Sequence, residues 1–193
     1  MRTFSSRVLR RFRRNEEGSI AVEAVLIFPL LVWAYLATFV YFDAFRAQLT
    51  SAKATYTISD ILSREKDAIT PDYLSAIWRL QKFLTTSNRE PRMRLTEIRF
   101  NGPENKHEVI WSQVRGTVPV MTEARLANYV GQIPEMPDNE YMMIVETWVA
   151  YEPIFTMGLQ AFVIQNFVVT RQRFAPKLCW APAANYTQAE LVC

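Results

Sequence analysis

The feature that most constrains this chain is an uncharged apolar run near its N-terminus. No residue from 24 to 42 carries a charge. Folded as a helix, these roughly 19 residues would extend about 28 Å at 1.5 Å per residue. That length matches the hydrocarbon core of a bilayer, so the run predicts a transmembrane helix. A buried helix of a soluble protein is the alternative, but such helices usually keep a polar face.

Basic residues cluster on one side of this run. Residues 1–18 contain six arginines and only two acidic residues: Arg2, Arg7, Arg10, Arg11, Arg13, Arg14, Glu16 and Glu17. Because cytoplasmic flanks of membrane helices are rich in Lys and Arg, a cytoplasmic N-terminus is predicted, with the bulk of the chain outside. Residues 19–193 hold 16 basic and 17 acidic residues. The net charge of +3 therefore indicates topology and no nucleic-acid partner.

Glu23 directly precedes the run, at its cytoplasmic end. A charge within an apolar membrane segment costs about 2.5–3.5 kcal/mol, so it calls for a reason. One interpretation is that Glu23 reaches the cytoplasmic headgroups. The other begins with Gly18, which has no side chain to hinder a protease. Cleavage after Gly18 would make Ser19 the new N-terminus and Glu23 its fifth residue, able to pair with a neighbouring subunit's α-ammonium group.

This pattern of Gly, four residues and Glu resembles the prepilin processing site of type IV pilin-like proteins of the Tad (tight adherence, Flp pilus) system. Residues 21–31, AVEAVLIFPLL, are similar to the N-terminal segment of TadE-type pseudopilins, which carry Glu early and Pro one or two turns later. Ala24 stands where the family usually has Tyr or Phe. The resemblance implies cleavage between Gly18 and Ser19 by a prepilin peptidase, and a register role for Glu23.

The remaining pattern predicts an α+β fold. Helical spacing continues the first helix from about residue 19 to 64, and Thr70-Pro71-Asp72 is typical of the start of a second helix. Strands are predicted at 93–100, 108–115, 140–151 and 161–170, with a short helix at 122–129. A parity change in the first strand predicts a bulge near Glu97. We expect a four-stranded antiparallel sheet packed on the second half of the long helix.

These elements divide the chain into four parts. They are a basic leader at 1–18 that cleavage would remove, a transmembrane and extended helix at 19–66, an α+β domain at 67–178 and a C-terminal tail at 179–193. One domain of ordinary size is expected outside the membrane. No internal repeat or low-complexity segment is evident.

The resemblance extends beyond the N-terminal segment and covers nearly the whole chain. Five segments after the N-terminal one look like parts of TadE/TadG-family proteins of alphaproteobacteria, and they occur in the same order. They are YTISDILSR at 56–64, WSQVRG at 111–116, VETW at 145–148, YEP at 151–153 and TRQRFAP at 170–176. The resemblance implies a single-pass protein of the bacterial inner membrane with a pilin-like periplasmic domain. Its implied partners are the lipid bilayer, other pilins or pseudopilins of the Tad system, the prepilin peptidase and the inner-membrane assembly platform.

The two cysteines are Cys179 and Cys193, with 13 residues between them. In an oxidising periplasm they could form a disulfide that fastens the tail. Two unpaired thiols on a frayed terminus are the other interpretation. Neither is favoured by the sequence.

Few residues are candidates for chemistry. Glu146 and Glu152 would lie about 20 Å apart along one strand, too far to act on one bond. They are better interpreted as one solvated residue and one near a strand end. His107 is the only histidine and is expected at the edge of a turn. No metal site, cofactor or enzymatic activity is predicted.

Three aromatic residues, Trp111, Trp148 and Tyr151, could form either an exposed partner surface or part of the core. Because apolar residues occupy both faces of the predicted strand 140–151, the core is favoured.

The favoured hypothesis is a TadE-like minor pseudopilin or assembly factor that acts by helix packing. A single-pass envelope enzyme or ligand-binding module is the alternative from another class. A membrane-anchored scaffold of a secretion system that is never cleaved is the third.

Overall fold

One long helix and a four-stranded antiparallel sheet dominate the computed structural model, which describes residues 19–85 and 89–193. The helices and strands, in order, are α1 (Ser19–Ser63), α2 (Pro71–Thr85), β1 (Arg92–Asn101), β2 (Lys106–Arg115), α3 (Glu123–Leu126), β3 (Tyr141–Tyr151) and β4 (Phe162–Arg171). Short 3-10 helices follow at Ala127–Gln132 and Gln188–Glu190. This order confirms the predicted α+β fold. Leader residues 1–18, including Gly18, lie outside the described residues.

Helix α1 contains 45 residues, which corresponds to about 68 Å at 1.5 Å per residue. Its side chains are exposed from Ile20 to Tyr35. Leu36 and Ala37 are partly covered, and Val40 is buried. From there to its end, one face of α1 packs on β3 and β4. The helix therefore has a free N-terminal half and a C-terminal half that belongs to the core of the domain.

The sheet has the strand order β2-β1-β3-β4, so β3 is a central strand, as its apolar residues at both parities predicted. The predicted bulge lies at the right place but in the other strand. The register between β1 and β2 shifts after Glu97 because Ile110 of β2 is the extra residue. β1 itself pairs with β3 without interruption from Arg92 to Arg99.

Cores on both faces of the sheet explain the parity change in β1. Face one packs against α1 and α2, and face two packs against the segment that contains α3 and the connector to β3. The buried residues of face one include Ile58, Leu62, Leu74, Met93, Leu95, Met143 and Val145. Those of face two are Ile98, Met121, Leu126, Ile133, Met136, Met142 and Ile144. A strand covered on both sides needs no bulge to bury apolar residues at both parities.

Local signals set the ends of the shorter helices. Thr70 Oγ1 accepts a hydrogen bond from the Tyr73 N–H at 3.2 Å, and Pro71 is the first residue of α2. Thr122 caps α3 by accepting from the Arg125 N–H. Both caps satisfy amide groups that lack a partner within the helix.

Polar side chains fasten α1 to the sheet. The hydroxyls of Thr55 and Thr147 are 2.7 Å apart. Asn166 Nδ2 donates to Thr147 Oγ1 at 3.2 Å and to Ser51 Oγ at 2.7 Å. Because these side chains are buried or half-buried and the contacts of Ser51 and Thr55 with the strands form only when helix and sheet are aligned, the network fixes the position of α1 along the sheet.

Two further contacts define the ends of the sheet. Tyr151 Oη donates to an Asp43 carboxylate oxygen at 2.9 Å, and the Arg173 N–H donates to the Ser63 carbonyl at 2.8 Å. We call the end near Asp43 the proximal end and the end near Ser63 the distal end. The β3–β4 loop, residues 152–161, lies at the proximal end. The turn between β1 and β2 lies at the distal end.

Candidate interaction surface

The apolar helical segment, residues 20–35 of α1, is the largest unpartnered apolar surface in the described part of the chain. All of its side chains are exposed. Helix α1 is long and apolar enough to span a membrane, with a mean hydropathy of 2.2 in its most apolar 18-residue window. An apolar surface of this extent is stable only when lipid or other helices cover it.

Glu23 lies within this segment and is exposed. It makes no hydrogen bond or ion pair with any other described residue. Ser19, the first residue of α1, is one turn earlier on the same side of the helix. The structure thus places the predicted register residue beside the start of the helix, with a carboxylate that its own domain does not neutralise.

Glu146 is not solvated, contrary to the interpretation from sequence. The Arg94 and Glu146 side chains are 2% and 0% exposed. Arg94 Nε donates to Glu146 Oε2 at 2.6 Å and its Nη2 to Oε1 at 2.7 Å, while Nη1 donates to the Pro119 carbonyl at 2.8 Å. The guanidinium also lies 5.3 Å from the centre of the Trp148 ring. This bidentate ion pair joins directly opposite positions of β1 and β3, the two central strands.

Glu152 is not part of that arrangement. It lies just after β3 and forms an exposed ion pair with Arg89. The two glutamates therefore serve separate ion pairs, so the structure does not bring them together as an acid and base pair.

Glu97 is a second buried carboxyl group, and sequence reasoning did not single it out as a site. It accepts hydrogen bonds from Gln172 Nε2 at 3.0 Å and from the Leu178 N–H at 3.1 Å. No cation pairs with it in the described part of the chain. Burial raises its pKa to about 8, and the two hydrogen bonds offset only part of that effect. One signal in the sequence pointed to the burial of Glu97. The alternation along the strand places it on the same face as the apolar residues Met93 and Leu95.

The aromatic residues follow the core interpretation. Trp111 and Tyr151 are buried, and Trp148 is half-buried. Trp111 Nε1 donates to the Leu178 carbonyl at 2.7 Å. His107 is the second residue of β2, with its ring centre 5.0 Å from that of Phe100, and partial burial lowers its pKa.

Cys179 and Cys193 are joined by a disulfide, with their Cα atoms 4.5 Å apart. The tail that it closes is fastened to the domain. The Ile69 N–H donates to the Cys179 carbonyl at 2.8 Å, and the Ala181 N–H donates to the Ile69 carbonyl at 2.9 Å. Of the two interpretations left open by the sequence, the structure contains the paired one.

An open cavity of about 440 Å³ lies at the proximal end, between α1, the end of α2 and the ends of β3 and β4. Its charged lining residues are Asp43, Arg46, Arg89 and Glu152. Neither His nor Cys lines it. Over residues 19–85 and 89–193, no group of three or more His, Cys, Asp and Glu side chains could hold a metal ion.

Comparisons with protein-family models, with curated proteins and with solved structures found no match. Function must therefore be argued from the geometry of this chain. The exposed apolar helical segment with its single carboxylate is the feature that requires a partner most strongly.

Proposed function

We propose that this chain is a TadE-like minor pseudopilin or assembly factor of the Flp (type IVb-like, tight adherence) pilus, and that it acts by packing its helix against other helices in the inner membrane. The observation that carries this proposal is the continuity of α1. Its N-terminal half is apolar and exposed on all sides, and its C-terminal half is built into the sheet domain. A pilin-like subunit needs this division between a helix that joins a bundle and a domain that faces outward.

The proposed topology follows from the flanks of the helix. Six arginines before the span keep the N-terminus in the cytoplasm, so the sheet domain lies in the periplasm. The disulfide between Cys179 and Cys193 supports this location because disulfides persist in oxidising compartments and are rare in the cytosol.

Glu23 sets the alignment of neighbouring subunits. After a prepilin peptidase cuts between Gly18 and Ser19, each subunit presents a new α-ammonium group one turn from its own Glu23. Within the membrane an unpaired carboxylate is costly, so packing is favoured only where Glu23 meets a neighbour's amine. Such a pair adds little net stability but penalises every shifted alignment, since a shift leaves both charges unpaired.

The N-terminus of the membrane-extracted protein tests the processing step. Mass analysis is expected to find Ser19 as the first residue, and a Gly18→Leu variant is the control that should retain the leader. An intact Met1 or Arg2 terminus in the unmodified protein would leave only an uncleaved anchored scaffold.

Substitution of Glu23 tests the alignment role. Glu23→Ala is expected to abolish piliation while the protein still inserts in the membrane, because the apolar helix remains but its alignment is lost. Glu17→Ala, which removes a carboxylate from the leader, is the matched control and should leave piliation unchanged. Pili in normal number in the Glu23→Ala strain would contradict the alignment role.

A further inference from the structure

The covered face of α1 begins inside the predicted membrane span. Leu36, Ala37 and Val40 belong to the uncharged run of residues 24–42, yet they are partly or fully covered by the domain. On the other faces at this level Phe39 and Phe42 are exposed. The proximal end of the domain therefore lies beside the last seven residues of the run, a length of about 10 Å.

The β3–β4 loop lies beside α1 at the level of the uncharged run. A Cβ atom placed on Gly158 would lie 3.7 Å from Tyr41 Oη. Leu159 packs against the buried cluster that contains Ala44 and Tyr151. These contacts hold the loop at the level of Tyr41, which is within the uncharged run.

The outer surface of this loop is apolar. Ile154 is 69% exposed and Phe155 is 44% exposed. On α1, the rings of Phe39 and Phe42 are exposed as well, and both belong to the uncharged run. The loop therefore adds exposed apolar side chains near the level at which the uncharged run ends.

Charged groups lie next to the loop as well, because Ile154 lines the open cavity together with Asp43, Arg46 and Glu152. Asp43 and Arg46 follow the uncharged run on α1, and Glu152 lies at the start of the loop in an ion pair with Arg89. A change from exposed apolar side chains to charged ones over one or two helical turns is typical of the boundary between acyl chains and headgroups.

We infer that the β3–β4 loop inserts into the periplasmic leaflet of the bilayer, with Ile154 and Phe155 among the upper acyl chains. This inference rests on the membrane span of the proposed function. The loop is a second membrane contact beside α1, and two contacts restrict the tilt of the domain where one helix would leave it free. The occupant of the loop surface is lipid because the loop lies beside Tyr41, within the uncharged run that forms the proposed span, and the charged residues of α1 begin only at Asp43.

A second arrangement of the chain in the bilayer predicts a different depth of the loop, and that depth can be measured. If the bilayer covered only residues 20–35, about 24 Å of helix, the loop would lie in water above the headgroups. The depth of the loop relative to the helix distinguishes the two arrangements.

The experiment uses the full chain in vesicles of phosphatidylethanolamine and phosphatidylglycerol at a low protein-to-lipid ratio. Under non-reducing conditions, which keep the native disulfide closed, a nitroxide label is attached to Phe155→Cys. Leu30→Cys in the span and Glu104→Cys in the distal turn are the matched controls. Collision rates with oxygen, which concentrates in hydrocarbon, and with a water-soluble nickel chelate are compared. Near-UV circular dichroism checks that each variant is folded, and Ile154→Cys is a second loop position.

The inference predicts a ratio of oxygen to nickel collisions that is several-fold higher at residue 155 than at residue 104, and close to that at residue 30. A water-like ratio at both 154 and 155, with a lipid-like ratio at 30, would overturn the loop inference alone. A water-like ratio at residue 30 would overturn the membrane span and the proposed function. Shielding of residue 155 that requires a high protein density would assign the surface to a second copy of the chain and also overturn the inference.

Discussion

Two buried glutamates of this domain are stabilised in different ways. Glu146 is held by a forked ion pair with Arg94, whereas Glu97 receives only two hydrogen bonds, from Gln172 and Leu178. A carboxylate buried without a cation favours its protonated form. Glu97 therefore has a raised pKa of about 8, and the fold carries a titration that an exposed carboxyl group would not show.

The raised pKa of Glu97 predicts a pH dependence of stability. Between the ordinary value of 4.5 and about 8, the folded state binds a proton that the unfolded state has released. Its contribution to the free energy of unfolding therefore falls as pH rises through this window. Glu97→Gln stays neutral, so its stability should change less with pH and exceed that of the wild type at about pH 8.5 by on the order of 2–4 kcal/mol.

Urea unfolding of the full chain in detergent at about pH 5 and about pH 8.5 measures this difference. The glutamine at 97 can still accept from the Leu178 N–H, and its amide can donate to Gln172 Oε1, a buried atom without a hydrogen-bond partner among the described residues. Glu104→Gln, at an exposed position, is the control. An equal pH slope in wild type and Glu97→Gln would refute the assignment.

Residue-scale features were the hardest to predict from sequence. Glu146 looked solvated because its partner Arg94 is 52 positions away, and the register that brings them together depends on the pairing of β1 with β3. The sequence indicated the burial of Glu97 only weakly. A charged residue in an apolar strand can be buried or exposed, and its long-range partner decides which.

Elements were predicted well where the signal was local. The cap at Thr70 and the proline at position 71 fixed the start of the second helix, and the strands on either side of the first turn were placed to within about two residues. The bulge was assigned to the wrong strand because its prediction assumed one buried face. The second core, on the face of Ile98, lies under a segment whose position depends on tertiary contacts.

The C-terminal tail offers a prediction at the element scale. Cys179 and Cys193 are 14 positions apart, and a disulfide that closes such a loop contributes about 3 kcal/mol. The double variant Cys179→Ser/Cys193→Ser is therefore expected to lower the melting temperature by roughly 6–12 °C. Thermal unfolding followed by circular dichroism measures it.

The unmodified protein in a reducing agent should show the same decrease in melting temperature, and the double variant should not respond to the reducing agent. A melting temperature that is the same in variant and wild type would mean that the hydrogen bonds between the tail and Ile69 suffice to hold the tail.

At the scale of the whole molecule, the proposed topology makes one direct prediction. A phosphatase that is active only in an oxidising compartment, fused after Cys193, should be active in cells, because the arginine-rich flank retains the N-terminus in the cytoplasm. The same enzyme fused directly after Gly18, without the apolar helical segment, is the control and should be inactive. An inactive enzyme after Cys193, in cells that contain the intact fusion protein, would reverse the orientation and exclude a periplasmic domain.

The sequence predicted the span and the domain separately and did not indicate how they meet. Counting uncharged residues ended the predicted span at residue 42, and one face of α1 is already partly covered at Leu36. A hydropathy pattern is averaged around the helix, so it cannot report that one face is covered by protein while the others are exposed. Only the tertiary packing of residues 152–161 reveals the overlap.

The unbroken passage of α1 from the exposed half into the domain has a mechanical consequence. Between Leu36 and Ser63 the helix is held along its length by β3, β4 and α2, and it contains no Gly or Pro over that stretch. A stiff helix transmits rotation along its length. Under the proposed function, rotation of α1 by neighbouring helices on the domain side of Pro29 would therefore rotate the outer domain by the same angle, so contacts within the membrane would set the direction in which the domain faces.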